Sequence, residues 1–408
     1  MTNKQNLIPV GMSQNPDPVK AGQEAARMAM EQLAPAEIIG WALAFCGGRH
    51  DPAAILQGLH SKLGPVEIIG GSAIGTVTNN LLGYGGYECA IAIFPRSLPK
   101  PTIVVTEELG QGELEAGRQL GAKLGEVGGD DNTILLFFDS LHSGPPPVLY
   151  VGSRLVEGIY QGLAGKQPTL IGAGLLGDYN FEKSYIFDGC QGVKHSAVAV
   201  VLPPVIRSHT TIMHGCLPVS TFLEITRIEG AVVYELDGRP ALAVLSEMLG
   251  RGPGSSFMDN LSLAVTLGQK HGDPYAPYDE SAYVNRLIIG SNPDEGSITL
   301  FEADFQVGAM VQIMSRDNQL MIDSVRQQSR RLLASMNQAK PVFGLYIDCA
   351  GRSCAFSGAD LEEAGILQAE LGPDIPLLGF YSGVEVAPLL GRSRPLDWTG
   401  VLTLFTLE

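Results

Sequence analysis

The apolar residues of this chain come in short continuous runs, each followed by a stretch whose apolar positions lie three and four apart. WALAFCGGRH (41–50) leads to PAAILQGLHSKLG (52–64), EIIGGSAIGTV (67–77) and ECAIAIF (88–94). TILLFFDSLH (133–142) leads to VLYVGSRLVEGIYQGLAG (148–165), TLIGAGLLGDY (169–179) and HSAVAVVL (195–202). VFGLYIDCAGRS (342–353) leads to ADLEEAGILQAELG (359–372), PLLGFYSGVEV (376–386) and GVLTLFTL (400–407). Each set reads as strand, loop, helix, strand, irregular connection and strand. Continuous apolar runs of this length predict strands buried on both faces. A helical crossover between two strands predicts parallel neighbours. Gly64, Gly165 and Gly372 stand where a helix takes a left-handed terminator.

Between these sets the pattern predicts a helix over 113–127 after the strand PTIVVTEEL, and a hairpin in FLEITRIEGAVVYEL turned at Glu229–Gly230. DGRPALAVLSEMLG (237–250) starts a helix, 286–317 holds three strands, and a helix follows from Asn318 to Met336. RGPGSSFMDN (251–260) and HGDPYAPYDES (271–281) read as loops. The expected fold is mixed α/β. It has two α/β halves, 1–225 and 226–408, built from repeated strand-helix-strand-strand units with mixed, largely parallel sheets.

Gly172, Gly174 and Gly177 match the G-x-G-x-x-G spacing of a dinucleotide-binding turn. That turn must open a helix directly after its strand. Here DYNFEKSYIFDG follows, without a helical apolar face, and the counterparts GGSAIG and GFYSGV keep only the first glycine. The aligned Gly70, Gly172 and Gly379 are better read as points of close backbone approach.

Composition narrows the function. A formal net charge of −16 opposes binding to nucleic acid or an anionic membrane. No apolar run approaches the roughly 20 residues of a membrane span, and the N-terminus lacks a signal-peptide core. Six scattered cysteines without a C-x-x-C pair fit reduced thiols, and with these the chain is expected to be cytoplasmic.

The chain resembles the FIST family of sensory domains. ELDGRPALAVLSEMLG (235–250), FEADFQVGAMVQIMSRD (301–317) and FGLYIDCAGRS with IPLLGFYSGVEVAP look like its C-terminal half, and WALAFCGG with EIIGGSAIGTV like its N-terminal half. On this resemblance 1–225 is a FIST N-like half and 226–408 a FIST C-like half of a stand-alone member. The resemblance implies a small-molecule sensor of signal transduction, with amino acids or small carboxylates a suggested ligand class. With no output domain after Glu408, a separate sensor kinase or cyclase is the expected partner. One branch of the family is implied to bind heme and report nitric oxide.

In parallel α/β sheets, ligands sit beyond the carboxyl ends of the strands. Thr76, Asp178 and Glu385 each lie six positions past an aligned glycine. The third set brings Cys349, Arg352, Ser353, Tyr381, Ser382 and Glu385 to that edge. Arg352 and Glu385 there would hold the carboxylate and ammonium of a zwitterion. They would equally serve as a salt bridge between two loops. Cys349 reads as a buried thiol at a strand end, or as a nucleophile if a base stands near. His142, in DSLHSGPPP, is the residue for the heme alternative. An enzyme using Arg352 and Glu385 on a metabolite is the reading from a different class.

Overall fold

Three parallel strand pairs organise the chain. The computed structural model describes residues 7–250, 265–336 and 339–408. Ile39–Gly47 pairs with Glu67–Ala73, Thr133–Asp139 with Thr169–Leu175, and Phe343–Cys349 with Leu377–Ser382, all parallel. Their crossover helices are Pro52–Leu63, Gly152–Gly162 and Glu363–Leu371. Register sets Gly70 against Ala44, Gly172 against Leu136 and Gly379 against Tyr346. A Cβ on Gly70 would sit 2.1 Å from the Ala44 carbonyl oxygen, and one on Gly172 would sit 1.7 Å from that of Leu136. These glycines permit close strand contact, and Gly172 lies within its strand, not in a phosphate-binding turn.

Each pair sits inside a six-stranded mixed sheet. On one side come two antiparallel strands: Cys89–Pro95 then Val10–Ser13, Ala197–Val201 then Thr102–Thr106, and Gly400–Leu407 then Ile206–Met213. The other side is supplied from a different part of the chain. Thr76–Thr78 pairs with Leu377–Ser382, Ile186–Gly189 with Glu67–Ala73, and Val384–Leu389 with Thr169–Leu175. The connections that read as irregular are therefore strands completing a neighbouring sheet. Parallel pairing is confined to the centre of each sheet, because the chain leaves for another sheet after the second parallel strand.

The helices Pro18–Met30, Glu113–Val127 and Asn318–Ser335 pack beside the three crossover helices. The pattern along 113–127 and 318–336 shows the helices but not this pairing. Asp51 caps Pro52–Leu63 by accepting from Ala54 N at 2.8 Å, and Gly64 ends it at φ +76°.

The inward faces of the three sheets share one apolar core. It contains Leu43 and Phe45, Leu135 and Phe137, and Leu345 and Ile347. Phe45 stacks on Phe380 with ring centroids 3.9 Å apart and meets Phe137 edge-on at 5.3 Å. The outward faces are covered by the helix pairs, so both faces of each sheet are dry.

Between Ile206–Met213 and Asn318–Ser335 the chain builds a separate antiparallel sheet from Leu217–Pro218 to Met310–Ser315. It includes the expected hairpin, Leu223–Glu229 with Val232–Leu236, and the three strands Tyr283–Asn292, Ser297–Leu300 and Met310–Ser315. The helix Ala241–Met248 packs on it. The loop expected at 251–260 lies outside the described residues. Among the described residues no helix is long and apolar enough to cross a membrane.

Phe45 contacts aromatic rings from both other sheets. Phe45→Ala is expected to lower the unfolding free energy by about 3–5 kcal/mol, measured by urea denaturation. A loss below about 1 kcal/mol would show that the axis tolerates a void.

Candidate functional site

The carboxyl ends of all three parallel pairs open toward one end of the molecule. Ile74, Leu176 and Gly383, each four positions past an aligned glycine, line one chamber there of about 70 Å³. Cys349, Ser382 and Asp397 contribute to its wall, and Leu287 and Phe301 reach in from the inserted sheet. Its volume suits a small group and not a whole metabolite.

A larger cleft of about 970 Å³ adjoins the chamber and shares Ile74 and Tyr179 with it. Its walls are the loop after Ile39–Gly47, the hairpin around Tyr84–Tyr87 and the loop 177–185. Gly48 N donates to Gly177 O at 3.0 Å, which ties the first and last of these together. The cleft carries the cations Arg49, Lys183 and Lys194. Among the described residues none of the three forms an ion pair, and Arg49 lies over the Tyr87 ring at 5.2 Å.

Two acceptors in this cleft lack donors. His50 is 4% exposed, and its Nε2 is 2.8 Å from the Tyr87 carbonyl oxygen. That contact assigns the proton to Nε2 and leaves Nδ1 as an acceptor, which has no partner. Asp178 Oδ1 accepts from Asn180 N at 2.8 Å and Glu182 N at 3.2 Å, while its buried Oδ2 has no partner. Buried acceptors left unpaired cost free energy unless a donor arrives.

The residues singled out in the sequence fall into separate settings. Asp178 lines the cleft. Cys349 and Ser382 line the chamber, and Ser353 Oγ lies 2.6 Å from Tyr179 Oη, on the wall shared by both cavities. Arg352, Tyr381 and Glu385 are fully buried. Arg352 donates to Glu363 through Nε at 2.7 Å and Nη2 at 2.5 Å, and through Nη1 to the carbonyls of His214 and Trp398 at 3.1 Å. Asp348 Oδ1 lies 3.2 Å from Arg352 Nε but out of line for a hydrogen bond. Burial, then the neighbouring Glu363, pushes the Asp348 carboxyl well up, which favours its neutral form.

Glu385 accepts from Ser382 Oγ at 2.8 Å and from Thr399 N at 3.3 Å, and burial raises its pKa well above the usual range. Tyr381 Oη donates to Glu362 Oε1 at 2.6 Å. Burial, then Glu385, raises the Cys349 thiol. The three positions six past a glycine are not structurally equivalent. Thr76 opposes Phe380 and Glu385 opposes Ala173, but Ile186 opposes Gly71. The second set carries extra loop before its exchanged strand, and Asp178 lies in that loop.

His142 is exposed. Its ring meets Tyr150 edge-on at 5.0 Å, and Nδ1 lies 3.3 Å from Ser143 Oγ. It lines neither the cleft nor the chamber.

The FIST N domain model matches residues 40–239, and the FIST C domain model matches 241–388. This chain belongs to the FIST family. FIST domains are small-molecule-sensing domains of signal transduction. Two Mycobacterium tuberculosis proteins, from strains CDC 1551 / Oshkosh and H37Rv, are each 27% identical over 98% of this chain and 99% of their own. Both carry only the description of uncharacterized protein. A solved cyanuric acid hydrolase from A. caulinodans aligns over 99% of both chains at a TM-score of 0.32 and 11% identity, too distant to bear on this protein. The cleft lies wholly within the FIST N match, whereas the chamber takes residues from both matches. The FIST C match ends before Gly400–Leu407, a strand next to the third parallel pair.

Reading the sequence by adjacent units misses Lys183 and Lys194, which reach the first sheet's edge only because Ile186–Gly189 joins that sheet. Arg49 and His50 carry a visible signal, since GGRHDP directly follows the first buried run.

Arg352 satisfies four acceptors from three parts of the chain. Arg352→Met is expected to lower the unfolding free energy by about 3–5 kcal/mol, because it strands the Glu363 charge in a dry site. Chemical denaturation at neutral pH measures it, and an unchanged midpoint would show that the pair contributes little.

Proposed function

We propose that the FIST N cleft senses a small zwitterion, an amino acid, and that its occupancy is relayed to a separate signalling protein. The observation that carries this reading is the buried, donorless Nδ1 of His50 in the cleft wall, with donorless Asp178 Oδ2 in the same cleft. Both call for a donor, which an ammonium supplies. Arg49, Lys183 and Lys194, free of ion pairs among the described residues, suit the carboxylate. The volume is within the ordinary range for metabolite sites, roughly 300–1,000 Å³.

Tyr179 gives occupancy a route out of the cleft. It belongs to both cavities and meets Ser353 of the FIST C region. The output protein, a kinase or cyclase, enters the proposal on the family's sensing role alone. Cytoplasmic placement belongs to the same proposal, supported by six cysteines that are all free thiols. We read the three strand-helix sets as copies of one unit, on the strength of their common element order.

The test is a thermal-shift screen of the protein amino acids, beside simple carboxylates and simple amines. At a hundredfold excess over Kd, a ligand specific for the native state adds about 2.7 kcal/mol, a readable rise in Tm. His50→Phe and Asp178→Asn are each expected to abolish the shift while leaving the far-ultraviolet circular dichroism intact. A panel in which no amino acid acts, or a shift that survives both substitutions, overturns the reading.

A further inference from the structure

A second cleft, of about 520 Å³, lies away from the first and shares no lining residue with it. The helix Gly152–Gly162 forms one wall, Arg392–Leu396 another, and Val265–Lys270, Tyr283–Asn292 and the loop 303–306 of the inserted sheet close it. It therefore spans the FIST N and FIST C regions.

Three guanidiniums line it, on a chain whose net charge is −16. Arg392 is neutralised by Glu157 at 2.6 Å and lies over the Tyr160 ring. Asp304, the other acid in the wall, is gripped by the fully buried Arg286, whose Nε is 2.7 Å from Oδ1. Arg154 and Arg394 have no carboxylate partner among the described residues. Arg394 is half-buried, and its Nε has no hydrogen-bond partner at all.

A further orphan faces the same space. Ser153 is 8% exposed, lines the cleft, and its Oγ has no partner. Its backbone N–H is already given to Glu302 Oε2 at 2.8 Å, and the hydroxyl, beside the same carboxylate, is not in hydrogen-bond geometry with it. Burial, then Arg394, pushes His271 in the wall down to about 4, so its ring is neutral near pH 7 and contributes no charge to the cleft. Two guanidiniums outside any ion pair among the described residues, Arg394 in the field of Asp304, and one hydroxyl without a hydrogen bond remain.

We propose that this cleft binds a phosphorylated small molecule, its phosphate monoester taken by Arg154, Arg394 and the Ser153 hydroxyl. A phosphate monoester concentrates close to two negative charges and three acceptor oxygens on one group near neutral pH. That matches two free cations in charge and suits the planar fork of a guanidinium. Val156, Phe305 and Pro395 offer apolar wall to the organic part. A ligand held there would touch both family regions at once and so bias their fit.

Isothermal titration with phenyl phosphate in chloride buffer is the test, with phenyl sulfate and succinate as comparisons. Phenyl phosphate is expected to bind, and Arg394→Met to weaken it roughly tenfold or more. Ser153→Ala removes a group with no protein partner, so it keeps the fold and still weakens binding, should the arginine variant not fold. Arg326→Met, in an exposed pair with Asp323 and outside both clefts, is expected to change nothing. The proposal is overturned if phenyl phosphate does not bind or if phenyl sulfate or succinate binds as tightly. It is equally overturned if binding survives in Ser153→Ala and Arg394→Met undiminished.

Discussion

An unpaired sheet edge is the constraint on which this architecture rests. A parallel pair crossed by one helix leaves the outer strand with a row of free backbone donors and acceptors, and in a dry core these must be satisfied. Glu67–Ala73, Thr169–Leu175 and Leu377–Ser382 each solve this with a strand from elsewhere in the chain. The three exchanges run in a cycle, so no sheet is complete without another. Through them the inner faces are drawn together, Phe45, Phe137 and Phe380 meet, and the carboxyl ends converge at one end.

Buried charges hold the inserted sheet to this frame. Arg286 lies between Asp304 and Asp397, joining the insertion to the turn before Gly400–Leu407. Glu302 accepts from Gly152 N and Ser153 N, at the start of a helix in the second set. Glu280 accepts from His214 N and Gly215 N at 3.0 Å and from Ser324 Oγ. Such pairs are weak sources of net stability but costly to break singly, which suits them to fixing one arrangement. Arg352 works in the same manner. Its donors end on Glu363 and on two backbone carbonyls, so the guanidinium serves the packing of the loops around it.

The cleft differs from these networks in one physical respect. The charges of the buried networks mostly meet opposite charges inside the protein, whereas the cleft holds cations outside any ion pair among the described residues and acceptors without donors. Imbalance of this kind in a concave site is what recognition of a polar small molecule requires. The FIST assignment and the geometry therefore point the same way. Tyr179 and Ser353 put the wall of this cleft in contact with the other family region.

The sequence alone determined the local elements. Uninterrupted apolar runs cannot face water on either side, and helix-spaced runs ended by glycine can only cross over, so the three parallel pairs and their helices were legible. The glycine at the middle of each second strand was legible too, because G-x-G-x-x-G without a following helix has no phosphate to hold. Family membership was readable from the order of several short motifs. Tertiary structure alone decided which strand completes which sheet, since hydrogen bonds to an edge carry no side-chain code and Ile186–Gly189 looks like a loop's end until Glu67–Ala73 stands beside it. The same pairing decided the candidate site. Spacing along the chain drew Arg352 and Glu385 together, but burial gave each its own partners. Arg49, His50 and Asp178 share a cleft only because the exchange sets a loop of the second strand-helix set on the edge of the first sheet.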